Sequence, residues 1–214
     1  MEHDFSEGSN SIYYNKVKVE FLPLIPEGPN VILDLGCGAG QLGRVLRETN
    51  KACELVGVEI YPMAAEKAEK YYNKIYQNDI ESLSLPYVEY FDYVICGDIL
   101  EHLIDPWVML TKINKMLKSG GMLICSIPNI RYWKIIAALV WNGTWKYTDA
   151  GILDSTHLRF FTKSSFIGML HKSNYSVTFL RMSIHGKKKF ANMATFGMFS
   201  EFLATQIMIS ARKN

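Results

Sequence analysis

The densest run of chemically useful residues is Asp34-Leu35-Gly36-Cys37-Gly38-Ala39-Gly40. Glycines at alternate positions let the backbone turn tightly and let a ligand approach it without meeting a Cβ. The run follows the apolar stretch Val31–Leu35 and precedes a helical stretch from Gln41. It therefore belongs at the carboxyl end of a buried strand, where open α/β sheets bind ligands. The spacing narrows the ligand. Dinucleotide loops use G-x-G-x-x-G, with a pyrophosphate over the helix start; here the run is G-x-G-x-G, and Asp34 puts a carboxylate beside it. A carboxylate repels a pyrophosphate and attracts an ammonium group. The run also lacks the G-x-x-x-x-G-K-[ST] pattern of nucleoside triphosphate loops. Three further acids, Glu59, Asp79 and Asp98, close later apolar stretches. Of five histidines, His3 lies in a polar terminus, His171 and His185 in surface-like stretches, and His102 and His157 in the two stretches best placed for proton transfer near neutral pH.

These residues need a scaffold, and the pattern supplies one. Apolar runs at 31–35, 55–60, 75–77, 90–96 and 122–127 read as buried parallel strands. Helical stretches fall between them: 41–50, 62–73 with Pro62 in its first turn, and 106–117 ended by Ser119-Gly120-Gly121. Residues 15–25 read as an N-terminal helix. The alternation predicts a doubly wound, mainly parallel sheet with helices on both faces. After Pro128 the pattern changes. An aromatic insertion carries Tyr132, Trp133, Trp141, Trp145 and Tyr147, a helix is expected at 164–171, and 175–182 with 205–212 read as a terminal antiparallel pair, making seven strands. The apolar stretch 190–210 reads as a core helix running into the last strand. Asn192, Glu201 and Gln206 make it a poor membrane span. The expected organisation is one domain over 1–214, with 1–29 as a cap and 129–162 and 183–204 as substrate-side insertions.

In order and at strand ends, these pieces resemble the class I S-adenosylmethionine-dependent methyltransferases over nearly the whole chain. Asp34-Leu35-Gly36-Cys37-Gly38-Ala39-Gly40 resembles their first motif, and Glu59 stands 19 residues after Gly40. Asn78-Asp79-Ile80 resembles the third motif. Gly97-Asp98-Ile99-Leu100-Glu101-His102-Leu103 with Asp105-Pro106 resembles the fourth-strand motif, and Lys118-Ser119-Gly120-Gly121 the turn before the fifth strand. The resemblance implies a Rossmann-like fold with an aromatic lid insertion. It also implies S-adenosyl-L-methionine as cofactor, leaving as S-adenosyl-L-homocysteine. The cofactor residues it implies are Tyr14, Asp34, Gly36, Cys37, Gly38, Gly40, Glu59, Ile60, Asp79, Ile80, Asp98 and Ile99. Of these, Glu59 would bind the ribose hydroxyls, Asp79 the adenine amino group, and Ile60 or Tyr61 the adenine face; Tyr13-Tyr14 would close over the cofactor.

Methyl transfer from a sulfonium needs alignment, and an alcohol acceptor needs its proton removed. The string Leu153-Asp154-Ser155-Thr156-His157-Leu158-Arg159-Phe160-Phe161-Thr162 resembles a subgroup of the family often linked to sugar and glycan biosynthesis. On that resemblance His157 is the expected general base, aided by Asp154 or Arg159, with His102 the second candidate; the alternative is that the string only caps and packs, with Thr162 as a helix cap. No paired Asp-Asn accompanies Asp98, so no metal is expected. The nucleic-acid-directed N-P-P-Y motif is replaced by Asp98-Ile99-Leu100-Glu101, which disfavours nucleobase amino groups.

The acceptor expected first is a hydroxyl of a sugar, glycan precursor or related small molecule; a quinone- or lipid-type acceptor and a non-catalytic cofactor-binding role are the alternatives. A nicotinamide oxidoreductase is disfavoured by the loop spacing. Among 214 residues, 23 basic against 21 acidic give a net charge of +2, short of the basic excess of a duplex nucleic-acid binder. Cys37, Cys53, Cys96 and Cys125 form no C-x-x-C pair and read as buried thiols of a reducing compartment. With no apolar core in residues 1–10, the expectation is a cytoplasmic protein, monomer or homodimer, without an integral span. The Lys187-Lys188-Lys189 run leaves room for an anionic glycan or peripheral membrane contact.

Overall fold

The computed structural model describes residues 18–186 and 188–214. Seven strands, β1 (Val31–Leu35), β2 (Glu54–Glu59), β3 (Lys74–Gln77), β4 (Phe91–Gly97), β5 (Leu117–Pro128), β6 (Tyr175–Ser183) and β7 (Gln206–Lys213), form a mixed sheet in the order β3-β2-β1-β4-β5-β7-β6. β1 pairs with β2, and β2 with β3, in parallel; β7 lies antiparallel between β5 and β6. This is the doubly wound, Rossmann-like sheet expected, with the last two strands as the antiparallel pair. The helices are α1 (Gln41–Glu48), α2 (Pro62–Ala68), α3 (Pro106–Met116), α4 (Trp133–Asn142), α5 (Lys163–Lys172), α6 (Lys188–Ala194) and α7 (Ser200–Leu203).

The chain packs as two compact units, 1–95 with 116–121, and 96–115 with 122–214. In the first, Ile32, Leu33, Leu35, Leu55, Val56 and Val58 are buried, as continuous apolar runs in parallel strands should be. Asp92 ties this unit at its edge, accepting from the Val31 amide at 2.9 Å and the Lys118 ammonium at 2.7 Å. In the second, Ile124, Ile127, Ile207, Ile209, Phe166 and Tyr175 are buried, and the Tyr175 hydroxyl donates to the Leu110 carbonyl at 3.1 Å. A capping box at Thr162 and Ser165 opens α5, which bears out Thr162 as a helix cap.

Several boundaries differ from the sequence pattern for physical reasons. Where an N-terminal helix was expected, the described part is a 3-10 turn, Val19–Leu24, with Pro23 inside it and Phe21 buried. α2 stops at Ala68 rather than Asn73 because Asn73 joins the sheet edge: its amide donates to the Leu55 carbonyl and its side chain accepts from the Leu55 amide, both at 2.8 Å. β5 starts at Leu117, so Ser119-Gly120-Gly121 lies within a strand; Gly120, at φ +72°, absorbs the bend there. The stretch from Phe190 is not a core helix. It forms the short α6 and α7, and Phe190, Met193 and Phe196 are exposed, Phe196 fully. The buried apolar content resides in β7 instead. Cys37, Cys96 and Cys125 are buried thiols, but Cys53 is exposed. No helix among the described residues is long and apolar enough to cross a membrane.

Candidate active site

In the first unit the glycine loop takes the conformation its residue types allow. Gly36, Gly38 and Gly40 have φ of +73°, +54° and +80°, a region costly for side chains with a Cβ. A Cβ on Gly40 would stand 2.8 Å from the Ala68 Cα, so the loop packs against α2 with no room for a larger residue. Glu59, buried at the end of β2, braces the loop. Its Oε2 accepts from the Gly38 amide at 2.8 Å and its Oε1 from the Tyr61 amide at 3.0 Å.

Asp34 is also buried, and the Tyr72 hydroxyl donates to its Oδ2 at 2.5 Å. Tyr72 reaches it because Gly43 leaves space: a Cβ there would lie 2.3 Å from the tyrosine ring. Burial pushes the Asp34 carboxyl up from its ordinary 3.8 to about 7; the Tyr72 bond opposes this, and the Glu59 charge adds to it. The Asp34 and Glu59 carboxyl groups thus flank a loop whose amides are already committed, Gly36 and Cys37 to the Val58 carbonyl, Gly38 to Glu59 and Gly40 to the Cys37 carbonyl, and the two acids suit a cationic ligand such as the α-ammonium of an adenosyl amino acid. Cys37 is held neutral by burial and by the Asp34 and Glu59 charges. Ile60 and Tyr61 are exposed just past β2, and Asp79 is exposed past β3, its Oδ1 accepting from the Glu81 amide at 2.9 Å. Ile80 is half-buried beside it. Tyr13, Tyr14 and His3 lie outside the described residues.

In the second unit, Asp98 follows β4 at φ +57°, uncommon for a residue with a Cβ. Its Oδ1 accepts from the Ser126 hydroxyl at 2.7 Å and from the Gln206 amide at 2.6 Å, which holds the ends of β5 and β7. Ile99 is half-buried next to it. The 3-10 turn Leu100–His102 comes next, and the Leu158 and Arg159 amides donate to the Glu101 carbonyl at 2.8 and 2.9 Å. That backbone pairing brings together two stretches more than fifty residues apart. It sets the His102 and His157 rings edge to face with centroids 4.7 Å apart, Phe160 beyond His157, and Trp145 against Phe160 at 5.2 Å.

The hydrogen bonds fix the tautomers. His157 Nδ1 lies 3.0 Å from the Ile152 carbonyl, which can only accept, so Nδ1 carries the proton. The Thr156 hydroxyl gives its proton to Asp154 Oδ1 at 2.7 Å and therefore accepts from His102 Nδ1 at 3.1 Å; the Thr156 carbonyl accepts from the same nitrogen at 3.3 Å. In the neutral tautomer each ring thus carries its lone pair on Nε2. Burial, with the neighbouring His157, holds the His102 pKa below its ordinary value, so this imidazole is neutral near pH 7. Asp154 acts on His102 through Thr156 rather than on His157. Arg159 spends its guanidinium on the Ile104 and Leu158 carbonyls and ties loops together. Three residues emerge that sequence reasoning missed. Tyr72 left no signal short of the fold, and Thr156 stood in the 153–162 string without a role of its own. Glu101, nearly fully buried at 1 % exposure, was flagged only by its place beside His102.

A family model described as a methyltransferase domain matches residues 9–179. The chain is similar to the ubiquinone biosynthesis O-methyltransferase of Cereibacter sphaeroides, 32% identical over 119 residues that cover 53% of this chain and 47% of the relative. It is also similar to that of Ruegeria sp., 35% identical over 103 residues, 46% of this chain and 41% of the relative. The chain spans about half the length of the curated relatives it matches. Among solved structures, an S-adenosylmethionine-dependent methyltransferase from Mesorhizobium loti superposes with a TM-score of 0.66 at 16% identity, covering 91% of this chain and 96% of that one. Another from Archaeoglobus fulgidus gives 0.64 at 19%, covering 96% and 95%; at such identities the likeness is one of fold. The chain belongs to the methyltransferase domain family and carries the fold of S-adenosylmethionine-dependent methyltransferases.

Proposed function

We propose that the protein transfers a methyl group from S-adenosylmethionine to a hydroxyl of a small-molecule acceptor. The observation that carries this reading is the pair of imidazoles, edge to face with centroids 4.7 Å apart, whose Nδ1 atoms face protein acceptors, so that the lone pair of each neutral ring falls on Nε2. In the reaction the acceptor oxygen forms a bond to the methyl carbon as the carbon–sulfur bond breaks. The electron pair of that bond stays on sulfur, which becomes the neutral thioether of S-adenosylhomocysteine. The hydroxyl proton passes to Nε2 of His157, the expected general base, with His102 beside it to orient the oxygen. Asp34 holds the ammonium at the amino-acid end of the cofactor, beside the glycine loop; Glu59, which keeps a further lone pair on each oxygen, meets the ribose; Asp79 and Ile60 meet the adenine.

For the acceptor, two classes stand in the reading. The names of the relatives favour a quinol-type aromatic hydroxyl, and the exposed Trp141, Trp145 and Tyr147 of the insertion suit a flat apolar partner. The 153–162 string favours a sugar hydroxyl by resemblance. Labelled-methyl transfer to a panel of quinols and sugar nucleotides, with calorimetric titration of S-adenosylmethionine, tests both levels. Methylation of neither class with cofactor binding intact would sink the acceptor reading; no cofactor binding would sink the whole.

A further inference from the structure

We infer that Glu101, His102 and His157 form a binding site for a divalent transition-metal cation. One ligand atom from each lies within 4.8 Å of the other two. Two imidazoles and a carboxylate are a donor set that first-row divalent cations accept, leaving coordination positions open. Two of the three side chains are buried, Glu101 at 1 % and His157 at 5 % exposure, which separates this cluster from the solvated acid groups common on protein surfaces.

The surroundings support each ligand as metal sites require. Metal-binding histidines donate their second ring N–H to a carbonyl, carboxylate or hydroxyl, which fixes the tautomer and aims the other nitrogen. His157 does this on the Ile152 carbonyl, and His102 on Thr156, whose hydroxyl is in turn bonded to the buried Asp154. The backbone is fixed as well, since the Leu158 and Arg159 amides both bond to the Glu101 carbonyl. What converges is one possible ligand atom each from a carboxyl group and two imidazoles. Ligand bonds of about 2.0–2.2 Å place ligand atoms roughly 3–3.5 Å apart, so binding draws the cluster in by about 1 Å, within reach of side-chain rotation.

The inference rests on the methyl-transfer reading and deepens it. With the cation bound, the acceptor hydroxyl oxygen takes an open position and its proton affinity falls. The proton then leaves to solvent water before the oxygen attacks the methyl carbon. Without the cation, the same Nε2 lone pairs take the proton directly, at a lower rate. The residue pattern, with no paired Asp-Asn beside Asp98, led to the expectation of no metal; this set assembles instead from Glu101-His102 and the distant His157.

The test uses the full chain, stripped of metal and titrated with Co2+. Calorimetry and visible absorption should show one ion per chain with a nitrogen- and oxygen-ligated spectrum. Zn2+ should raise the melting temperature, and Glu101→Gln and His157→Gln should each weaken Co2+ binding at least 10-fold. S-adenosylmethionine binding reports that each variant is folded. Wild-type protein that takes up no Co2+, or folded variants that bind it as wild type does, would overturn the site. Methyl transfer that persists while Co2+ fails to bind leaves the O-methylation reading standing and the metal site rejected. One-to-one binding without transfer to any hydroxyl establishes the site and rejects that reading.

Discussion

The glycine loop of the first unit and the histidine cluster of the second solve different physical problems. The loop is built by one contiguous run, and its chemistry lies in two acids brought close by the parallel pairing of β1 and β2, beside glycines that turn the backbone. The cluster is built from two stretches, around 101–102 and 152–157, and its chemistry lies in side-chain nitrogens aimed by carbonyls. In the loop, burial raises the Asp34 carboxyl to about 7, so its charge is only part-formed near neutral pH and a cationic ligand favours the ionised form. In the cluster, burial keeps a base neutral and so readies it for a proton or a metal. The same desolvation, acting on groups of opposite charge type, yields an electrostatic binding site in one place and a proton-handling site in the other.

The sharpest way to break this contrast is at His157. His157→Ala should lower turnover about 10²–10⁴-fold with little change in cofactor affinity; turnover near wild type would remove the base assignment. Asp34→Asn should act on the other side, weakening S-adenosylmethionine binding about 10²-fold by calorimetry. Asp34 also carries a pH signature. Its folded pKa of about 7 exceeds the ordinary 3.8, so the native state holds a proton that the unfolded chain releases between those values. Stability therefore falls as pH rises from about 4 to 7, by at most about 4 kcal/mol. Asp34→Asn abolishes that slope and should melt higher than wild type at pH 8; a parallel pH dependence in both proteins would refute it.

Smaller effects refine the comparison. Thr156→Val removes the hydroxyl between Asp154 and His102 and should cost about 10-fold in turnover, with Thr156→Ser restoring most of it; loss that serine does not rescue points to packing instead. Tyr72→Phe removes the donor to Asp34 without opening a cavity. Cofactor affinity at pH 7 should fall roughly 5-fold and recover toward pH 8.5, as the acid ionises without its partner. An affinity unchanged at both pH values would show that Tyr72 does not tune this acid.

Much of the fold was legible because its signals are local. Val31–Leu35 could only be a buried strand, Gly36, Gly38 and Gly40 could only be a tight turn, and the Thr162 cap was visible before α5. The misplaced edges share a cause: long-range pairing overruled local pattern. Asn73 left its helix to bond Leu55, and β5 extended back to Leu117 through glycines that read as a stop. The stretch from Phe190 looked like core because composition reports how apolar a segment is and not whether a layer lies over it.

By itself the chain determined a doubly wound sheet, a glycine loop with an acid at its edge, and which histidines deserved suspicion. Each follows from periodicity or from the conformations a residue type permits. Only the tertiary structure decided that Asp34 faces Tyr72, that Asp154 works through Thr156 on His102, and that Glu101 joins two histidines. Tautomer, burial and the meeting of distant side chains depend on which backbone groups happen to lie opposite, and that is settled when the whole chain packs.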